Sequence, residues 1–211
     1  NRQGSGERNP TKRQEEEAVK KIRGFKLALH PKELRRRLRK SVDFAALGLQ
    51  EEAAFQRHLD AMARRLSPAV LFDSLGPESA QTAALAPIPG LAHTVGLLTL
   101  GPGTEAYLAS EDAAGAGRGA LARLLLQAAV ESSVFFVTDL LKDELEEERC
   151  ELSPIHYLSD PAKTAALFDK LQGGKIGLRS AQGTLSPAFS AAFCLSWISK
   201  PRSRSHAAKS G

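Results

Sequence analysis

Ser153, His156 and Asp160 lie within one short segment of the chain. Serine, histidine and a carboxylate can together perform nucleophilic hydrolysis. No serine here sits in the G-x-S-x-G turn that exposes such a nucleophile, so the trio does not read as a hydrolase. Glu144, Glu146, Glu147 and Glu148 crowd one short run. Paired carboxylates can do acid–base work, but a run of this kind usually marks a solvated helix end. Gly115-Ala116-Gly117-Arg118-Gly119 precedes a long helical pattern. Glycines at a helix N-terminus can cradle a phosphate. The dinucleotide fingerprint needs a strand immediately before them, and small and polar residues intervene after Leu100 instead, so a turn is expected.

The five histidines (His30, His58, His93, His156, His206) are scattered, and Cys150 and Cys194 are far apart. Neither set has the spacing of a zinc site or a disulfide framework. No metal is expected, and reduced thiols are the expectation. Lys32, Arg35, Arg36, Arg37, Arg39 and Lys40 make one basic stretch, and Lys200, Arg202, Arg204 and Lys209 make another. The net charge of +5 is concentrated at these ends. Nucleic-acid binding by the first stretch would want interleaved aromatics, which it lacks, so a solvated helix face is the preferred reading.

The elements that must position these groups follow from periodicity. Residues 1–14 are polar and read as a disordered basic arm. Residues 15–90 read as the N-terminal helical part of the domain, with Glu15–Leu29 open between a short helix and a strand. Pro31 opens a helix running from Lys32 towards Phe44, with Leu34, Leu38 and Val42 on one stripe. A second helix spans Gln50–Leu66, with Ala54, Phe55, Leu59 and Met62 recurring at helical spacing. Ala69–Phe72 reads as a strand and Ser74–Pro89 as a loop. The core part is 91–199. Leu91–Leu100 is a nearly continuous apolar run, expected to be a strand buried on both faces. Arg118–Glu148 reads as one long helix whose small residues Ala128, Ala129, Ser132 and Ser133 invite close approach by another element. Its acidic end opposes the helix dipole, which a cationic partner would relieve. Cys150–Pro161 reads as a loop. Asp160-Pro161 starts a helix that Gly173-Gly174 closes. Lys175–Arg179 reads as a strand, Ser180–Pro187 as a turn or short hairpin, and Ala188–Ile198 as a final strand. Residues 200–211 read as a disordered basic tail.

With 42% hydrophobic residues the chain can build a real core, and no apolar run approaches the roughly 20 residues of a membrane span. The opening residues are polar and charged, unlike a signal peptide. A soluble α+β protein of the cytoplasm, away from the membrane, is expected.

Taken in order, the motifs of the second half resemble one family. Leu97-Leu98-Thr99-Leu100-Gly101 is similar to its "VTLG" strand, and a long helix follows in both. Leu152-Ser153-Pro154-Ile155-His156 is similar to its loop, Leu167–Leu171 to its next helix, and Lys175-Ile176-Gly177-Leu178-Arg179 to its "K-I-G-V-R-L". Thr184-Leu185-Ser186-Pro187-Ala188-Phe189-Ser190 is similar to its "M-L-x-P-x-K-S" ending. Upstream, Ala46-Leu47-Gly48-Leu49 is a weaker echo of its "Y-L-G-Y". The resemblance, over about Leu91–Ser199, is to the activation domain of cobalamin-dependent methionine synthase and its stand-alone relatives. It implies a C-shaped α+β domain around a twisted antiparallel sheet with flanking helices. It implies binding of S-adenosylmethionine, whose methyl group goes to an oxidised corrinoid while a flavodoxin-like donor supplies an electron. Cobalamin would come only through the partner, a corrinoid-binding protein or the catalytic part of methionine synthase.

Carried over to this chain, the cofactor-binding residues are Ser153, Pro154, His156 and Tyr157, with no catalytic residue assigned. The family's loop reads "R-P-A-P-G-Y". Glu151 stands at its arginine, Ile155 at its glycine, and His156 at its tyrosine with Tyr157 one step on. Glutamate reverses the charge offered to the ligand's carboxylate, and isoleucine adds bulk and removes freedom to adopt positive φ. Three readings stay open: a reactivation or methyl-donor module with an altered ligand loop, a non-catalytic relative that docks a corrinoid protein or methyltransferase, and a basic nucleic-acid adaptor.

Overall fold

The computed structural model describes residues 19–76, 85, 86 and 88–201. The basic arm, most of the Ser74–Pro89 loop and the tail beyond residue 201 lie outside the described residues.

Five elements come from the first half of the chain: strand β1 (Lys20–Arg23), helices α1 (Pro31–Leu38) and α2 (Glu52–Ala63), and strands β2 (Ala69–Leu75) and β3 (Ala92–Thr99). Helices α3 (Gly103–Ala113), α4 (Ala116–Leu140) and α5 (Lys142–Glu147) follow. Then come the short strands β4 (Cys150–Leu152) and β5 (His156–Tyr157), helix α6 (Pro161–Leu171), a 3₁₀ turn at Gly173–Ile176, the hairpin β6 (Arg179–Ala181) and β7 (Thr184–Ser186), and strand β8 (Ala191–Ser199).

The main sheet has the order β1-β2-β3-β8-β4, with β5 also on β8, and every pairing is antiparallel. The fold is therefore α+β, with the helices laid on both faces of one antiparallel sheet. Successive side chains of a strand point to opposite faces. Val70, Phe72, Leu98, Phe193, Leu195 and Trp197 face one core with α1, α2 and α4. Leu71, Val95, Leu97, Ala192 and Cys194 face a second core with α6 and Ile176. Burial on both faces is why β2, β3 and β8 read as nearly unbroken apolar runs. Gly96 is part of this packing. A Cβ there would stand 2.3 Å from the Phe193 ring, so the ring occupies the space a side chain would need.

Several expectations need correction. The 15–90 part is not helical throughout: beside α1 and α2 it supplies β1 and, where a strand was expected, β2 to the sheet. Its helices stop early, at Leu38 and Ala63, so Val42 lies past the first helix. The region after Leu100, where only a turn at the glycine motif was expected, holds a helix, α3, and Gly117 and Gly119 lie inside the first turns of α4. The long helix breaks at Leu141, whose φ of −90° and ψ of −4° depart from helical values. The break places Asp143 and Glu144 in the first turn of α5, where the dipole favours acidic groups. Glu144 also receives Lys20 Nζ at 2.7 Å. Cys150–Pro161 is not loop alone but contains the two short strands β4 and β5, and Lys175-Ile176 lies in the 3₁₀ turn, so the strand in that motif begins only at Arg179.

Other expectations stand. Asp160 caps α6, accepting from the N–H of Ala162 at 2.8 Å and Lys163 at 3.4 Å, with Pro161 in the first turn. The small stripe of α4 does admit a neighbour: Ala28 N–H donates to Ser132 Oγ at 2.9 Å as an extended segment passes over the helix. Helix α4 is long and apolar enough to cross a membrane, but most of its apolar window is buried inside the protein.

Candidate functional site

The segment singled out for ligand binding is an edge of the sheet. Leu152 pairs with Trp197 and His156 with Cys194, so the chain spends one more residue than β8 between the two pairs. This is a β-bulge at Ser153-Pro154, and β4 and β5 are the two halves of one bulged strand. Proline is tolerated there because a bulge needs no ladder N–H. Ser153 is buried and completes the pairing: its N–H donates to Ser196 O at 2.8 Å, and its Oγ accepts the Ser196 N–H at 2.9 Å. The hydroxyl then donates to Pro154 O at 3.0 Å. Its polar groups are spent on holding the sheet together.

His156 and Tyr157 follow the bulge. His156 pairs with Cys194, which belongs to the α6-side core, and Tyr157 pairs with Phe193, which belongs to the α4-side core. Consecutive strand residues face opposite sides, so the two side chains cannot line one pocket. Pro154 and Glu151 are exposed. Tyr157 is 36% exposed. Burial of the rest of its ring, helped by the negative charge of Glu131, pushes its phenol up to about 12. Glu131 is itself paired with Arg37 at 2.7 Å. The structure thus brings Ser153 to Ser196, sends His156 and Tyr157 apart, and leaves Asp160 to cap a helix.

Three of the cavities among the described residues have other linings than Ser153, Pro154, His156 and Tyr157. One, about 920 Å³, is a groove between the extended Gly24–His30 segment and α2, with Leu59, Asp60 and Arg64 on its far wall. A second, about 330 Å³, lies between Ala28–Arg37 and α4 beside Phe135. The third, about 650 Å³, lies along α6 under Leu85.

A polar cluster was missed in the sequence. His58 of α2 touches Tyr107 Oη with Nε2 at 3.3 Å and Arg118 Nη1 with Nδ1 at 3.3 Å. Arg118 reaches Leu47 O at 3.4 Å with Nη2 and lies 3.8 Å from Glu111 Oε2. That oxygen is shut off from solvent and makes no hydrogen bond. Burial lowers the His58 pKa, with Glu111 pulling it up and Arg118 pushing it down. Burial, with Glu111 adding to it, raises that of Tyr107 strongly. One signal was present in the sequence: His58 lies between Phe55 and Met62 on the buried stripe of α2. Tyr107 and Glu111 could not be placed one turn apart without α3.

The glycine motif has a packing role here. A Cβ at Gly119 would stand 1.9 Å from Asp112 Oδ1, and Asp112 makes a two-pronged pair with Arg123 at 2.7 and 2.8 Å. Gly119 lets the end of α3 and the start of α4 meet across that pair. The basic stretch on α1 is partly committed inside the molecule: Arg37 pairs with Glu131, Lys32 with Glu52 at 3.8 Å, and Arg35 lies over the Phe44 ring. Among the described residues no three His, Cys, Asp or Glu side chains converge as metal ligands would. Compared with known proteins, the chain matches no protein-family model and no curated protein.

Proposed function

We propose that this chain is a non-catalytic relative of the methionine synthase activation domain. It keeps the scaffold to dock a corrinoid-binding protein, or the catalytic part of a cobalamin-dependent methyltransferase, in the cytoplasm. The observation that carries this reading is the register of the bulged edge strand. It divides His156 and Tyr157 between the two faces of the sheet and commits the Ser153 hydroxyl to Ser196 N–H. Those groups would otherwise have to converge on S-adenosylmethionine. Glu151 and Ile155, in place of the arginine and glycine of the resembling loop, act in the same direction.

A second reading, the S-adenosylmethionine module that supports reductive reactivation with a flavodoxin-like donor, keeps one observation in its favour. Tyr157 is partly exposed at the sheet edge within electrostatic reach of Glu131, a pairing that could hold an ammonium group. One titration separates the two. S-adenosylmethionine is added to the purified protein in a calorimeter, and in parallel a cobalamin-loaded methionine synthase fragment is added to the same protein. Docking predicts no heat from millimolar S-adenosylmethionine and saturable binding of the corrinoid protein. Micromolar S-adenosylmethionine binding that Tyr157→Phe weakens would replace docking with reactivation. Binding of neither would remove both.

A further inference from the structure

The cluster at the corner of α2, α3 and α4 holds one arrangement of hydrogens. Arginine can only donate, so His58 Nδ1 accepts from Arg118. A neutral imidazole then carries its hydrogen on Nε2 and donates to Tyr107 Oη. Burial favours that neutral form. The charged and titratable groups around the ring are Glu111 and Tyr107 from α3 and Arg118 from α4. Arg65, just past α2, faces Tyr107.

A proton added at Nδ1 would turn the acceptor into a donor and set two positive groups against each other. Arg118 would lose that contact while a better one stands close by. Glu111 Oε2 is buried, makes no hydrogen bond and lies 3.8 Å from the same Arg118 nitrogen. The guanidinium also holds the Leu47 carbonyl, at a long 3.4 Å. Leu47 sits tightly against the start of α4, since a Cβ at Gly117 would come 3.2 Å from its Cδ2. The segment between α1 and α2 is therefore tied to the helices partly through Arg118.

We propose that His58, Arg118 and Glu111 form a proton-operated latch: when His58 takes up a proton, Arg118 moves from it to Glu111, releases the Leu47 carbonyl and loosens the segment between α1 and α2. Acidification is thereby coupled to one surface segment, independently of what the protein docks.

The test is amide exchange of the full chain across about pH 7.5 to about 5, expressed as protection factors so that the intrinsic pH dependence of exchange cancels. The segment around Phe44 and Leu47 is expected to lose about tenfold in protection, with a midpoint below the ordinary histidine value of about 6.5. His58→Asn, whose side-chain oxygen can still accept from Arg118 but cannot take a proton, is expected to abolish the loss. Glu111→Gln is expected to move the midpoint lower, because Glu111 favours the charged ring. Protection that is flat with pH in the wild type, or that falls equally in His58→Asn, overturns the latch. Should the variant not fold, the wild type decides: the His58 ring and the Leu47 amide are followed together by NMR. A shared midpoint is expected, and separate midpoints overturn the proposal.

Discussion

Ser153 uses its backbone and its hydroxyl on the same neighbour. Without the hydroxyl, the Ser196 N–H would be left buried and unpaired, since the bulge has removed the ladder carbonyl that would otherwise receive it. Leaving a buried donor unsatisfied costs about 1–3 kcal/mol. Ser153→Ala is expected to lower unfolding stability by that amount in urea titration, with no change in the denaturant slope. A smaller loss than from an exposed control such as Ser159→Ala would mean the hydroxyl is dispensable. On the same strand pair, Ser196 Oγ donates to Ile88 O at 2.6 Å, so its only hydrogen is committed. His93 Nδ1, 3.1 Å from that oxygen, must then be the donor, and burial lowers the His93 pKa. A lowered histidine favours the neutral ring in the folded state, so its contribution is complete above the unfolded value of about 6.5 and is lost as pH falls below it. Wild-type stability should decline below about pH 6.5, and His93→Gln should flatten part of that decline in denaturant melts repeated across pH.

At the scale of elements, legibility followed how many large apolar side chains each segment buries. Strands β2, β3 and β8 and helix α2 were readable because their apolar residues face the two cores in unbroken or helical order. Helix α3 was not: Tyr107 is its one fully buried large side chain, so no periodicity marks it. The bulged strand was hidden for a different reason. It pairs on one side only, and its extra residue shifts the alternation at Ser153-Pro154, where the sequence signals a loop. Lys175-Ile176 read as strand because of the isoleucine, but Gln172 and Gly177 both adopt left-handed φ, at 56° and 81°, and bracket a tight turn. The helix signal at Asp160-Pro161 was the clearest local one. Asp160→Ala removes the acceptor for two N–H groups and should cost about 1 kcal/mol, within a range of about 0.5–2. Asp160→Asn or Ser should restore most of it in thermal melts. The candidate ligand loop could be located from sequence, but its chemistry could not. That His156 and Tyr157 face opposite sides follows from their lying in a strand, and which face each takes is set by pairing with β8, far along the chain.

At the scale of the molecule, the boundary near residue 90 separates two stretches of sequence without separating two bodies. Strand β2 pairs with β3 over seven positions, from Ala69 opposite Thr99 to Leu75 opposite His93. Phe55, Met62, Val70 and Phe72 share one core with Leu98, Leu125 and Phe193. Removing 1–90 would strip β3 of a partner strand and uncover one edge of its hydrogen-bonding ladder. It would also leave Leu98, Leu100 and the buried face of α4 without the α2 side chains that cover them. A sheet with an uncovered apolar edge associates instead of folding. A fragment beginning at residue 91 is therefore expected to keep helical circular dichroism from α4, lose a cooperative thermal transition, and bind a hydrophobic dye. Adding the 15–90 fragment in trans should restore the transition, because the missing strand and helices would again close both the ladder and the core. A 91–199 fragment that melts cooperatively near the full-length midpoint would show that the second half folds alone, and the scaffold available for docking would then be that half.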